Sequence, residues 1–244
     1  MGLGTVKIGR DQGVKYPDAF RIPDDHQVRE LLARARDLGV NLIDTAPAYG
    51  RSEERLGKLL EHRQDWVICS KAGEEFENGA SHYRFTPEHL RASVERSLRR
   101  LGTDYIDLLL VHSDGNDLEI INRHGALDLL AELKKEGKIR ATGMSSKTVE
   151  GGIETLKKSD LAMVTYNLAS RDELPVIEYA AAHQKGILIK KAFASGHLPD
   201  DHPDPVQASL NMILGTAGVS SIIAGTINPE HLAENVRKAR LVTG

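Results

Sequence analysis

Short apolar runs alternate with amphipathic stretches along the whole chain. A short apolar run bounded by polar or turn residues reads as a buried strand. Apolar residues recurring every three or four positions read as one face of a helix. On this basis strands are expected over residues 3–8, 41–45, 66–71, 106–112, 139–144, 161–166, 186–190 and 219–224. Helices are expected over 24–38, 52–61, 86–101, 126–136, 147–158, 174–185, 205–214 and 229–241. The first helix shows the pattern, with Val28, Leu31, Leu32, Ala35 and Leu38 on one face. The helix from 86 has a clear start: Thr86 as cap, Pro87 in the first position and Glu88 in the first turn.

Strand and helix alternate in eight units with no break in composition. That predicts the α/β class, a closed parallel (β/α)8 TIM barrel forming a single domain over residues 1–244, with its active site at the carboxyl ends of the strands. An open doubly wound sheet is the alternative. It calls for a Gly-rich fingerprint after the first strand, and Gly2-Leu3-Gly4 does not provide one. The third glycine is missing, the pair lies within the predicted strand, and no helix is expected to follow directly.

Three successive strands end on or near ionisable groups. The run Leu42-Ile43 delivers Asp44, with Tyr49 five residues on in a loop bounded by Pro47 and Gly50. The runs after Trp66 and Ile106 end in Lys71 and His112. Singly, each has a structural explanation: a turn cap, a loop aromatic, a solvated strand end, a satisfied core histidine. Together they point to chemistry, because parallel strands bring their carboxyl ends to one face.

These groups suit carbonyl reduction. Tyr49 can protonate the oxygen, although a free phenol, with pKa about 10, is a poor acid. Lys71 would lower that pKa and Asp44 would hold Lys71 in place. His112 would donate a hydrogen bond to the carbonyl oxygen. No side chain supplies a hydride, so a cofactor must.

Composition narrows the field. The chain has 244 residues, 40% of them hydrophobic, and a net charge of −3. No global field favours nucleic acid or anionic membranes. No apolar run approaches the ~18 residues of a membrane helix, and the N-terminus has no signal-peptide pattern, so a cytoplasmic protein acting on a small molecule is expected. The single cysteine, Cys69, sits in an apolar run and reads as a buried, inert thiol. The ten histidines form no zinc-spaced pair with an acidic partner, and no G-x-S-x-G elbow follows a strand.

Asp44, Tyr49, Lys71 and His112, in this order and these contexts, resemble the Asp-Tyr-Lys-His tetrad of the aldo-keto reductase family. The stretch 41–60, NLIDTAPAYGRSEERLGKLL, is similar to that family's second strand, loop and helix. The resemblance extends to Gly143-Met144-Ser145-Ser146, Val164-Thr165-Tyr166-Asn167, Ala194-Ser195-Gly196 and residues 223–235, and so covers nearly the whole chain. It implies an (α/β)8 barrel with NADPH across the carboxyl ends of the strands, reducing aldehydes or ketones.

The resemblance also implies cofactor contacts. Gly4 and Thr5 match a pair near the nicotinamide, and Ser145 a serine on its carboxamide. Ser146 stands where the family has asparagine, Thr165 where it has glutamine, and Lys190 where a tyrosine stacks on the ring. A lysine stem can cover a ring while its charge reaches solvent, and that charge would disfavour the oxidised, cationic cofactor. Ser195 matches a pyrophosphate contact, and Thr226, Glu234 and Asn235 match residues holding the adenosine end. The lysine and arginine that often clamp the 2′-phosphate are Gly225 and His231 here. That weakens the charge-assisted grip and makes NADH the second candidate donor; Arg237 or Lys238 would have to compensate. In the same stretch Asn228 and Pro229 make an ordinary helix start, which is also an anion site.

The family usually carries a β-hairpin before the first strand, whereas Met1 nearly begins that strand, so truncation or a different barrel floor is expected. The short segment 242–244 implies a more open substrate pocket. Residues 73–85 and 113–123 are expected to be loops that set specificity, the first with a solvated-loop reading because of Glu74, Glu75, Glu77 and Arg84. Two other functions compete with the reductase: a cofactor-binding regulatory or scaffold subunit with little turnover, and a Schiff-base lyase using Lys71 or Lys190.

Overall fold

The computed structural model describes residues 1–17, 19–198 and 203–243. Eight parallel strands close into a barrel: β1 (Gly2–Gly4), β2 (Leu42–Asp44), β3 (Val67–Ala72), β6 (Ile106–His112), β7 (Ile139–Ser145), β8 (Leu161–Thr165), β9 (Gly186–Lys190) and β10 (Ser221–Gly225), with β10 pairing back onto β1. An antiparallel hairpin, β4 (Glu74–Glu77) and β5 (Ala80–Tyr83), stands above β3. The helices are α1 (Val6–Gly9), α2 (Asp25–Asp37), α3 (Ser52–Leu59), α4 (Pro87–Leu101), α5 (Asp117–Asn122), α6 (Ala126–Lys135), α7 (Val149–Lys158), α8 (Leu174–Ala182), α9 (Pro205–Leu214) and α10 (Pro229–Thr243).

Strand periodicity explains how the core positions the site. Alternate residues face opposite sides of a strand. Ile43, Ile68, Leu109, Val164 and Ile189 join the apolar layer under the helices. Leu42, Cys69, Leu110, Met163 and Leu188 form a separate cluster, which is the barrel lumen. Two residues beyond each lumen residue, on the same face, come Asp44, Lys71, His112, Thr165 and Lys190. The polar layer is therefore the next layer of the barrel interior, carried on the same faces as the lumen plug. Cys69 is fully buried and burial pushes its thiol up, as an inert cysteine should behave.

Three expectations need correction. Residues 6–8 alternate like a strand, but the chain leaves β1 after Gly4 and turns into α1. Thr5 ends the strand, its backbone N–H and hydroxyl both donating to the Asp44 carbonyl at 3.0 and 2.8 Å. A helical turn thus does follow Gly2-Leu3-Gly4. It also anchors the loop bearing Tyr49: Gly9 accepts from the Arg51 N–H at 3.2 Å, and a Cβ at Gly9 would fall 2.1 Å from the Tyr49 carbonyl.

The second correction is the hairpin, expected as a solvated loop. Asn78 and Gly79 turn it with φ of 52° and 81°, the left-handed pair of a type I′ turn, for which Asn-Gly is the preferred sequence. The third is α5 within 113–123. Its first residue, Asp117, is buried and accepts from Lys147 N–H at 2.9 Å and Thr148 N–H at 2.7 Å, tying the segment to the start of α7.

Candidate active site

Asp44, Tyr49, Lys71 and His112 converge at the carboxyl end of the barrel. The Lys71 ammonium is 1% exposed and donates to Asp44 Oδ1 at 2.5 Å and to the Thr45 carbonyl at 3.0 Å. Asp44 itself is fixed by its backbone, through the Thr5 bonds and a hydroxyl chain in which Ser52 donates to Thr5 at 2.8 Å and Thr45 donates to Ser52 at 3.0 Å. Tyr49, in the 3₁₀ turn after β2, donates to Asp44 Oδ2 at 3.5 Å, and its ring centroid lies 4.7 Å from the Lys71 ammonium. The His112 ring meets the Tyr49 ring edge-on, 6.3 Å between centroids.

The electrostatics differ in one respect from expectation. Burial alone would discharge Lys71, but the Asp44 carboxylate, helped by Tyr49 and Cys69, outweighs it and holds the ammonium well above its ordinary range. Burial pushes the Tyr49 phenol up and Asp44 pushes it further; Lys71 opposes both without overcoming them. Tyr49 therefore stays a protonated phenol throughout the neutral range, rather than being made acidic by Lys71.

These groups line a cavity of about 670 Å³. Its walls also carry Gly4, Ser145, Lys190, Ser195, Gly225, Thr226, His231, Glu234 and Asn235, so most of the residues singled out in the sequence share one cleft. Thr5, Ser146 and Thr165 do not line it. The Thr5 hydroxyl is held in the strand network, Ser146 is fully buried with its hydroxyl unpartnered, and the Thr165 N–H donates to Glu173 Oε2 at 2.7 Å.

Lys190 does not send its charge to solvent. Its ammonium turns inward and donates to Ser145 Oγ at 2.9 Å and the Ser146 carbonyl at 2.5 Å. Burial lowers its pKa to about 8, with Glu173 opposing and Lys191 reinforcing. At the far end, Lys238 Nζ is held by Asp204 Oδ1 at 2.8 Å and Glu234 Oε1 at 3.1 Å. Arg237 is exposed. Asn228 caps α10, its Oδ1 accepting from Glu230 N–H at 2.9 Å. Between the two ends, Lys191, Ala194 and Ser195 take left-handed φ of 54°, 47° and 59°, a conformation unfavourable by roughly 1–2 kcal/mol per residue.

Two wall residues were missed in the sequence. Glu74, on the hairpin, places Oε2 2.8 Å from His112 Nδ1, an approach too bent for a linear hydrogen bond, and takes a hydrogen bond from Ser81 Oγ at 2.6 Å. The Asn78-Gly79 turn was the available signal, since a hairpin there folds Glu74 back toward β3. Tyr16 reaches over Gly225, where a Cβ would lie 3.2 Å from its hydroxyl, and packs under Lys7, whose ammonium is 3.9 Å from its ring centroid. Nothing local in the sequence marks that contact. Among the described residues no group of three His, Cys, Asp or Glu side chains is placed to hold a metal ion, and no helix is long and apolar enough to cross a membrane.

Comparison with known proteins agrees with the barrel. The model of the Aldo/keto reductase family matches residues 1–208, and the chain belongs to that family. A crystal structure of a putative aldo-keto reductase from Pseudomonas aeruginosa is 57% identical, with a TM-score of 0.91 over 100% of this chain and 90% of that one. The uncharacterized oxidoreductase YqkF of Bacillus subtilis is 28% identical over 283 residues, covering 98% of this chain and 86% of its own length. The NADH-specific methylglyoxal reductase of Escherichia coli is 33% identical over 179 residues, covering 67% of this chain and 53% of its own length. The chain is thus an aldo-keto reductase family member with oxidoreductase relatives.

Proposed function

We propose that the protein is a cytoplasmic NADP-dependent oxidoreductase, a single barrel domain over residues 1–244, which reduces small aldehydes or ketones to alcohols. The carrying observation is the convergence of Asp44, Tyr49, Lys71 and His112 in one cavity continuous with the α10 end.

The lining suits a nicotinamide dinucleotide. Gly4 and Gly225 put bare backbone at the floor, and a Cβ at Gly225 would crowd Tyr16. At the α10 start Asn228 Oδ1 already takes the Glu230 and His231 N–H groups, so the helix would offer an anion its dipole rather than free donors. Thr226, His231, Glu234 and Asn235 would hold the adenosine end, Ser195 the pyrophosphate, and Ser145 and Lys190 the nicotinamide side. Thr5, Ser146 and Thr165 would act through the backbone they order. A bound reduced nicotinamide supplies the hydride.

The chain's own part is the proton and the field. Tyr49 holds its proton across the neutral range and gives it to the carbonyl oxygen as charge develops there. The Lys71 ammonium, fixed by Asp44, stabilises the phenolate that remains. His112 forms the opposite side of the oxygen's site. Lys71 is a poor Schiff-base candidate, because an ammonium held this far above neutrality has no free amine.

NADPH is the expected donor, and one observation favours NADH as a second reading. Gly225 carries no charge, His231 is exposed, and Lys238 is engaged by Asp204 and Glu234. The test is a fluorescence titration with NADPH and with NADH, followed by absorbance decay at the reduced-nicotinamide band with a panel of aldehydes. Tight binding with turnover is expected. Tyr49→Phe should lose about 10²–10⁴-fold in turnover at unchanged cofactor affinity, and retained turnover would remove Tyr49 from its role. Binding without turnover on any carbonyl would favour a regulatory subunit.

A further inference from the structure

The chain carries a net charge of −3, yet the cavity walls hold seven lysine and arginine side chains against three carboxylates. Those three are engaged. Asp44 receives Lys71, Glu234 receives Lys238, and Glu74 accepts from Ser81 beside His112. What remains is positive charge gathered around the end of β9. Lys190 donates to a hydroxyl and a carbonyl. It is repelled by Lys191 and Lys147, and Lys191 in turn by Lys15 and Lys147. Among the described residues no carboxylate forms an ion pair with Lys147, Lys190 or Lys191. Glu173 acts on Lys190 and Lys191 only through space.

Lys147 is placed rather than loose. Its N–H donates to Asp117 Oδ2 at 2.9 Å. Its stem lies along the β6–α5 connection, 3.8 Å from where a Cβ at Gly115 would stand. Its ammonium is 5.5 Å from the ring centroid of Tyr83, a hairpin residue in the cavity wall. Asp114, close by, serves its own loop, where Oδ1 accepts from the Asn116 N–H at 2.8 Å. The Lys147 charge therefore stands at the rim, between the hairpin and the end of β9.

Like charges gathered in a cavity without a counter-ion favour an anion there, and a cleft focuses their field. The cofactor does not supply that anion at this end. A nicotinamide is neutral when reduced and cationic when oxidised, and its phosphates fall to Ser195 and the α10 end. We propose that Lys147 and Lys190 form a subsite for an anionic group on the substrate, so that the preferred carbonyl compound is an aldehyde or ketone bearing a carboxylate or phosphate. This rests on the carbonyl-reductase reading and names its substrate class. Tyr49 and Lys71 serve the oxygen that reacts. The subsite holds the other end of the molecule and takes no part in hydride or proton transfer.

The experiment compares kcat/KM at neutral pH for two aldehydes of one skeleton, succinate semialdehyde and its methyl ester. The ester removes the charge and leaves the aldehyde unaltered. Wild type should favour the acid, and added salt should shrink the preference. Lys147→Gln should lower kcat/KM for the acid by about two- to fivefold, the range of an exposed ion pair, and leave the ester unchanged. A wild type that takes the ester as well as the acid overturns the proposal, and so does an unchanged preference in Lys147→Gln. Weaker NADPH binding in Lys147→Gln by fluorescence titration, with the preference intact, would assign the lysines to the cofactor phosphates and also overturn it. Calorimetry with succinate and with neutral succinamide, in the presence of NADPH, reads the subsite without turnover. Succinate should bind, more weakly in Lys147→Gln, and succinamide should not. That result with no carbonyl reduced would remove the reductase reading alone; failure of succinate to bind would remove the subsite.

Discussion

Two lysines end strands at the mouth of this barrel and differ only in what they touch. Each follows a lumen residue by two positions, Lys71 after Cys69 and Lys190 after Leu188. Lys71 meets a carboxylate oxygen at 2.5 Å and its ammonium is held above the ordinary range. Lys190 meets a hydroxyl and a carbonyl, with Glu173 acting only through space, and falls to about 8. Burial discharges a lysine by default, and dipoles at good distance do not reverse that; a carboxylate in contact does. Of these two lysines in one cavity, one is a permanent cation and the other titratable.

The largest effect should come from converting the first lysine to the second. Asp44→Asn leaves the Lys71 ammonium buried without its counter-ion, an arrangement that costs about 3–5 kcal/mol. Urea unfolding should show that loss, and Asp44→Asn with Lys71→Met should recover much of it. A loss below ~1 kcal/mol, the size of an exposed pair, would break the comparison. The sign for wild type is fixed by the raised pKa. The stability from Lys71 is fully present below its ordinary 10.5, so this pair imposes no pH dependence near neutrality.

Lys190 should behave oppositely. Its pKa is lowered, so between about 8 and its ordinary 10.5 the unfolded chain binds a proton that the folded one has released. Stability then rises with pH across that window. Urea midpoints of wild type and Lys190→Met should therefore diverge in favour of wild type from pH 8 to 10. A pH-independent gap would show that Lys190 is not held down. The same cation should bias the cofactor. Below pH 8 it repels an oxidised nicotinamide, so Lys190→Met should tighten the oxidised form relative to the reduced one, read as a ratio of Kd values by calorimetry. The bias should fade above pH 8.

The lysine pair also shows what the sequence could and could not reveal. Both lysines were visible as strand ends, because period two and eight alternating units suffice to put them in one layer. The same reading found the tetrad and most of the cleft. It missed the environment of each charge. Lys190 was expected to reach solvent, since nothing local says that the Ser145 hydroxyl lies across two strands to receive it. Residues 6–8 were read as strand because Val6 and Ile8 alternate correctly, and the contact that stops them, Thr5 on the Asp44 carbonyl, spans 39 positions. Glu74 was assigned to solvent because it begins a charged run, although Asn78-Gly79 carried the information to fold that run back. Local pattern encodes faces and periods; the charge state of a buried group is set by partners distant in sequence.

The smallest effect tests the contact that was least legible. The Glu74 carboxyl, ordinarily near 4.5, is held at about 2 despite its burial, because His112, Ser81 and Arg10 favour the anion. A carboxylate with a lowered pKa contributes stability that is complete above 4.5 and is lost as pH falls toward 2. Glu74→Gln cannot lose what it does not have. Its urea midpoint should lie below that of wild type at pH 6, and the gap should close between pH 4.5 and 2. A gap that stays constant to pH 2 would mean that the Glu74 anion is not favoured by its surroundings.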